Sequence, residues 1–405
     1  MFWKKSVIDT DEKKIEELLT RGVEDIFVKD SLLKKLRSGK QLRVKLGIDP
    51  TSPHIHLGRA VVLRKLKAFQ DLGHKIVLIV GDFTAQIGDA SDKLEKRPML
   101  SLEKVKENLK TYKKQIGKII NVNDAEFHFN SSWLSNLTFQ EIAILAESFS
   151  ISQMTSRRNF SERIEKGQEV SLREFLYPLM QGYDSVAVGA DVEIGGFDQL
   201  FNLKAGRIIQ RHYHKPEQDI LTLQMIEGID GRKMSSSWGN IVSIDDEVND
   251  MYGKIMSIKD DLITKYFLLA TDVSPIYIKE IEEKLARGSN PKEIKMELAR
   301  EIVKLYHGEK NSLKAEAHFV SVFSKKNIPE EIQTAQVQVG AELRETVVDL
   351  GLVPSKSEYM RLLDQGAIHN LTTGQKIEDS HYKIMEEAVF KIGKKIFIKI
   401  TPRKE

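Results

Sequence analysis

Val44-Lys45-Leu46-Gly47-Ile48-Asp49-Pro50-Thr51-Ser52-Pro53-His54-Ile55-His56-Leu57-Gly58-Arg59 is the stretch from which the fold can be read. Apolar and β-branched residues from Leu42 to Ile48 predict a buried parallel strand. Asp49-Pro50-Thr51 ends it, because proline has no donor for the ladder. After the turn, His56-Leu57-Gly58 leads into Val61, Val62, Leu63, Leu66 and Phe69, an apolar helical face that stops at Gly73. Lys75 to Gly81 is a further continuous apolar run, so strand, helix and strand make a βαβ unit. His56 therefore stands at a strand-to-helix junction. The first turn of a helix offers unpaired amide donors and the positive end of its dipole, the imidazole adds a donor, and phosphate is the expected guest. Gly58 leaves room for a bulky ligand against that turn. Taken alone, the same residues equally describe a solvent-facing histidine at a helix start.

The 405 residues suffice for two or three domains, and 41% hydrophobic with 30% charged is an ordinary globular composition. The absence of cysteine excludes disulfides and thiolate metal sites. Met1 to Asp11 has no apolar signal core and no run approaches membrane-spanning length, so a cytoplasmic compartment without a membrane partner is expected. A net charge of +3 is too small to argue for nucleic acid by itself; the distribution matters more.

Ile15, Leu18, Leu19 and Val23 lie at helical spacing and predict a leading amphipathic helix between Asp9 and Ile26. Asp82 to Lys93 reads as a polar loop past the carboxyl end of a strand, the edge where open α/β sheets bind ligands. Ser101 to Ile120 is predicted as one Lys-rich helix and Glu126 to Asn130 as a short strand, both scaffold. Thr138 with Glu141 and Ser171 with Glu174 fit capping boxes that open two helices. Between them, Arg157, Arg158, Arg163 and Lys166 read singly as a solvated face and together as a surface for RNA or a partner subunit.

The helix opened by Ser171 carries Tyr177, Gln181 and Asp184 on one face, with Pro178 expected to kink it. Leu176, Leu179, Met180, Val186 and Val188 surround this trio, which predicts burial with partners and a grip on a small molecule. Asp191 to Gln199 is a two-glycine turn with an acidic residue suited to hydroxyl groups such as those of a ribose. Gly231 to Ser237 is small, polar and flexible, with Lys233 placed to reach a phosphate; otherwise it is a surface linker. A densely charged helical region runs from Asp245 to about Lys326, and 327–340 reads as a linker. A compact α+β tail follows, whose Lys391, Lys394, Lys395, Lys399, Arg403 and Lys404 form a basic face suited to RNA.

His56-Leu57-Gly58-Arg59 and Lys233-Met234-Ser235-Ser236-Ser237 resemble the paired signatures of class I aminoacyl-tRNA synthetases. Gly47 to Thr51, Ile87-Gly88-Asp89, Tyr177 with Gln181 and Asp184, and Gly195-Gly196-Phe197-Asp198-Gln199 narrow the resemblance to tyrosyl-tRNA synthetases, over nearly the whole chain. The tail is similar to a small RNA-binding domain that bacterial members share with a ribosomal small-subunit protein. The resemblance implies an α/β fold: a Rossmann-like parallel-sheet catalytic domain over 1–230, a mobile signature loop and α-helical anticodon-binding domain over 231–326, and a small α+β RNA-binding domain over 341–405. It implies activation of L-tyrosine by ATP, with Mg2+ carried as Mg-ATP, then transfer to the 3′ end of tRNA(Tyr). A homodimer is also implied, with its interface expected between about Phe127 and Phe160.

By the same resemblance His56, Arg59, Lys233, Lys93 and Arg97 act on the departing pyrophosphate. Gly47, Asp49, Thr51, Gly58, Gly196, Asp198 and Ser236 join His56 and Lys233 around ATP, Asp198 on the ribose. Asp89, Tyr177 and Gln181 hold the tyrosine ammonium, Asp184 accepts from the phenol, and Gln199 completes the tyrosine site; no resident metal site is implied. Four positions depart from the usual pattern: Arg59 replaces a second histidine, Ser236 a second lysine, Phe197 a small hydroxyl residue, and Lys45 a tyrosine that contacts the phenol in some relatives. Other readings remain open: a tryptophan enzyme of the same architecture, a synthetase-like RNA-binding protein without catalysis, and a nucleotidyltransferase that uses no tRNA.

Overall fold

In the computed structural model, residues 7–89, 100–326, 332–393 and 396–403 are described. The apolar runs of the βαβ unit become neighbouring parallel strands, β2 (Arg43–Ile48) and β3 (Lys75–Val80), joined by the helix Leu57–Asp71. That helix buries Leu57, Ala60, Val61, Leu63, Leu66 and Phe69. Each large apolar side chain so buried contributes about 1.5–3 kcal/mol. With β1 (Val23–Phe27), β4 (Glu126–Phe129), β5 (Val192–Gly196) and β6 (Asp219–Leu223), the sheet has the order β1-β6-β5-β2-β3-β4. All its pairings are parallel except that of the edge strand β1 with β6. The chain leaves β2 toward β3 and β4 and returns through β5 and β6 on the other side. The β2–β5 junction is therefore the topological switch point, where such sheets open a crevice.

The helix predicted from Asp9 to Ile26 stops at Thr20. Gly22 turns the chain at φ +64°, and Val23–Phe27 pairs with β6 as β1. Edge pairing overrides the helical spacing of Val23. The Lys-rich helix is two pieces, Leu102–Leu109 and Tyr112–Ile116. Their side chains bind the 50–53 turn: Asn108 Nδ2 donates to the Pro50 carbonyl at 2.7 Å, the Tyr112 hydroxyl to that of Ser52 at 2.8 Å, and Gln115 Nε2 to that of Pro53 at 2.8 Å. The segment is thus a brace for the turn before His56 as well as scaffold.

Two of the four cations between 154 and 166 leave the solvated face expected of them. Arg163 is 2% exposed and forms a buried pair with Glu174, 2.5 Å long, because the Glu174 carboxylate that accepts from Ser171 N at the helix start also faces inward. Arg157 stacks on Phe160 and Phe201, and burial lowers its pKa.

Two compact units divide the chain, Met1–Ser312 and Leu313–Glu405. The first includes the helices Val248–Met256, Ile263–Ala270, Pro275–Ala286 and Pro291–His307 along with the sheet. Arg21 binds them to the sheet layer through the carbonyls of Leu268, Thr271 and Val273, and Arg64 pairs with Asp272 at 2.5 Å.

The second unit contains a five-stranded sheet of order β7-β11-β10-β8-β9. Its strands are β7 (Gln333–Gln338), β8 (Ile368–Asn370), β9 (Gln375–Lys376), β10 (Ala388–Ile392) and β11 (Ile396–Arg403). Tyr359, Phe390, Ile392, Ile398 and Ile400 are among its core residues. The linker expected over 327–340 is in part a strand: residues 327–331 lie outside the described residues, and 333–338 is an edge strand parallel to β11. Its composition misleads because an edge strand needs only one apolar face, supplied by Ala335 and Val337.

Candidate active site

A cavity of about 480 Å³ opens over the carboxyl ends of the parallel strands. Gly47, Asp49, Thr51, His56, Gly58 and Arg59 reach it from β2, the turn and the helix start. Asp89, Tyr177, Gln181 and Asp184 enter from the loop after β3 and the long helix Leu172–Val188. Gly196, Asp198, Gln199, Lys233 and Ser236 close the lining from β5 and the later loop. Every described residue singled out for a site thus lines one cavity. Lys93 and Arg97 lie outside the described residues.

At the helix end, His56 is the N-cap residue and precedes Gly58, whose added Cβ would lie 3.0 Å from His56 Nδ1. His56 Nδ1 is buried and has no hydrogen-bond partner among the described residues. Burial, then the charges of Arg59 and Lys233, depress the imidazole pKa to about 3, so the ring is neutral across the physiological range. A neutral ring donates a hydrogen bond without carrying charge. The fixed charge comes from Arg59, whose guanidinium donates to the Tyr112 hydroxyl at 2.5 Å and to Thr51 Oγ1 at 2.8 Å. Lys233 Nζ pairs with Asp198 at 2.8 Å, and Gly58 N donates to Met234 Sδ at 3.4 Å, which brings the two distant motifs together.

At the other group of polar residues, Asp184 is wholly buried and accepts from Trp133 Nε1 at 2.8 Å and Asn130 Nδ2 at 3.3 Å. Burial raises its pKa to about 7, against the pull of Lys45 and of the two donors. Asp49 accepts from the Tyr177 hydroxyl at 2.9 Å and from Thr84 Oγ1 at 2.7 Å. Burial and the Asp49 charge hold the Tyr177 phenol protonated far into alkali. Asp89 accepts from Gln199 at 2.9 Å and from Asn202 at 3.4 Å. Gln181 Nε2 donates to Glu193 at 3.1 Å.

Sequence reasoning missed Trp133, Asn130, Thr84, Tyr112, Asn202 and the Lys45–Glu193 pair. Each is distant in sequence from the group it serves. The one available signal was Lys45, a charged residue inside a strand that reads as buried. In chemical terms the cavity joins an anion-binding helix start and two cations to buried acceptors for ammonium and hydroxyl groups. That arrangement suits transfer of a nucleotide onto a small amphoteric substrate.

A sequence profile described as tRNA synthetases class I (W and Y) matches residues 37–324. The chain is 46% identical over 396 residues to a tyrosine–tRNA ligase of Thermotoga maritima, covering 97% of this chain and 98% of that one. It is 45% identical over 398 residues to tyrosine–tRNA ligase 2 of Clostridium acetobutylicum, covering 96% and 99%. Among solved structures, a C-terminally truncated Aspergillus nidulans mitochondrial tyrosyl-tRNA synthetase superposes with a TM-score of 0.63 at 22% identity, covering 76% of this chain and 94% of that one. The Archaeoglobus fulgidus tyrosyl-tRNA synthetase complexed with L-tyrosine gives 0.61 at 21%, covering 76% and 100%. At such identities the structural likeness speaks for the fold, while the two bacterial relatives and the profile carry the assignment. The chain belongs to the class I tRNA synthetases, in the family of the tyrosyl-tRNA synthetases.

Proposed function

We propose that the chain is a tyrosine–tRNA ligase: it activates L-tyrosine with ATP to tyrosyl-adenylate and pyrophosphate, then passes tyrosine to the 3′ end of tRNA(Tyr). The observation that carries this reading is Asp184, a buried carboxylate held by Trp133 and Asn130 in the same cavity as the His56 helix start. A phenol hydroxyl donates to such an acceptor; phenylalanine would bury it one donor short, with only Trp133 and Asn130 to hold it, at a cost of about 1–3 kcal/mol.

In the first step the tyrosine carboxylate attacks the α-phosphorus in line, so the residues' work is alignment and charge stabilisation. His56 would donate to the phosphates as a neutral ring, and the amides of the helix start and Arg59 would bear on the triphosphate. Lys233 would exchange Asp198 for phosphate as ATP enters, freeing Asp198 for the ribose. Ser236 supplies a hydroxyl. Asp89, Tyr177, Gln181 and Gln199 would orient the ammonium and carboxylate ends of tyrosine. Magnesium would arrive on the phosphates of ATP as part of the substrate.

A homodimer is supported by exposed apolar residues in and beside the expected interface: Phe129 at 49%, Phe139 at 88%, Ile151 at 78% and Leu172 at 73% exposure. Among the described residues no helix is long and apolar enough to cross a membrane, and the proposed tRNA substrate suits a cytoplasmic location. The test is pyrophosphate exchange into ATP with each amino acid in turn. Tyrosine should support exchange nearly alone, and Asp184→Ala should abolish it. Tight tRNA binding without exchange for any amino acid would favour a non-catalytic RNA-binding role.

A further inference from the structure

Beneath the cavity, at the β2–β5 switch point, Lys45 and Glu193 are register partners on adjacent parallel strands. They form an ion pair 2.9 Å long, at 0% and 1% side-chain exposure. The pair is fully engaged. Lys45 Nζ spends its three N–H groups on Glu193 Oε1, the Gln181 carbonyl at 2.9 Å and Ser185 Oγ at 2.7 Å. Glu193 Oε1 accepts a second hydrogen bond from Gln181 Nε2 at 3.1 Å. Its Oε2 accepts from Ser185 Oγ at 3.1 Å and from Gln218 Nε2. Lys45 itself does not line the cavity, whereas Glu193 and Gln181 do.

The pair therefore grips Gln181 twice, by its carbonyl and by its amide nitrogen. A carboxylate only accepts, so Glu193 forces the NH2 end of the Gln181 amide toward itself. The amide oxygen is left at the opposite end and makes no hydrogen bond among the described residues. An amide without such a partner is free to turn either end to a ligand.

We propose that the Lys45–Glu193 pair is a positioning device for amino-acid recognition: it fixes Gln181 with its amide oxygen offered to the cavity, as an acceptor for the substrate's ammonium group. This rests on the tyrosine-activating reading. Lys45 is the counter-charge that lets a carboxylate be buried this deeply, and its two further hydrogen bonds fix the pair against the Leu172–Val188 helix.

Pyrophosphate exchange of the full-length chain tests it, with desaminotyrosine, which is tyrosine without its α-amino group, as a competing inhibitor. The variants are Glu193→Met and the double variant Lys45→Met with Glu193→Met. The double variant leaves no unpaired buried charge and decides the matter if the single one does not fold. The KM for tyrosine should rise about tenfold in each, while the KM for ATP and the inhibition constant of desaminotyrosine stay within about twofold. A general slackening of the site would weaken tyrosine and desaminotyrosine alike. Equal weakening of the two, or an unchanged KM for tyrosine, would overturn the proposal while leaving the activity intact. A wild-type chain with no tyrosine-dependent exchange would sink the functional reading and this one with it.

Discussion

Asp184 is the residue whose environment most directly sets a pH dependence. Lys45 favours its charged form, as do the Trp133 and Asn130 donors, while burial and Glu193 oppose it. Its folded pKa of about 7 lies above the ordinary 3.8, so the native state binds a proton that the unfolded chain releases. The stability gained from that proton is fully present below about pH 3.8 and is lost as pH rises through about 7, a change of up to about 4 kcal/mol. Asp184→Asn should flatten this dependence, which chemical denaturation across pH 4–8 would check as an approximate window. For binding the sense is opposite: the proposed phenol contact is made to the carboxylate, so the KM for tyrosine should rise as pH falls below about 7. A flat KM profile would remove Asp184 from the phenol. A further expectation concerns Tyr112, which receives Arg59 and ties the turn at Ser52. Tyr112→Phe should raise the KM for ATP by about tenfold with little change for tyrosine, because it frees the guanidinium at the phosphate end alone. That His56 and Lys233 would line the cavity was legible in their motifs. Tyr112 was not, since a tyrosine in a Lys-rich segment carries no mark of the turn it braces.

Between elements, the side of the cavity lined by Gln181 and Asp184 depends on how closely two helices approach, Leu172–Val188 and Leu200–His212. Gly182 sets that distance: a Cβ there would lie 2.8 Å from Ile209 Cγ1 and 3.0 Å from the Ala205 carbonyl oxygen. Gly206 answers it from the second helix, where a Cβ would collide with the Gln218 amide and lie 2.8 Å from Ser185 Oγ. Gly182→Ala should destabilise the chain by about 1–3 kcal/mol and raise the KM for tyrosine, since Gln181 and Asp184 flank it. Thermal melting and exchange kinetics would show both effects; an unaltered melting temperature would mean that the helices part without strain. The parallel strands and the helix after His56 were readable from apolar periodicity. β1 and β7 were not, because each is an edge strand whose pairing supplies what its own sequence lacks.

At the scale of the molecule, the second unit has its own core, built on Tyr359, Phe390, Ile392, Ile398 and Ile400. Ending the chain after Lys326 should therefore leave tyrosine-dependent exchange within about threefold of wild type and lower aminoacylation by about tenfold or more, through lost phosphate contacts. Equal loss of both activities would tie the tail to the chemistry. In its basic face Lys399 pairs with Glu387 at 2.6 Å and Lys391 lies over the Phe397 ring, while Lys394, Lys395 and Lys404 lie outside the described residues. The exposed Phe139 and Ile151 make a second expectation at this scale. In the proposed homodimer, replacing both with aspartate should shift the mass in light scattering to that of a monomer, by placing charge in an apolar contact.

By itself the sequence determined the βαβ start, the paired motifs and the polar trio of the long helix. These are local signals, carried by periodicity, turn chemistry and spacing within one element. Only the tertiary structure decided which groups face one another: Lys233 against Asp198, Trp133 against Asp184, Tyr112 against Arg59, and Lys45 against Glu193. Each pair joins side chains from separate elements. Its geometry follows from sheet order and helix packing, which no single stretch of chain encodes.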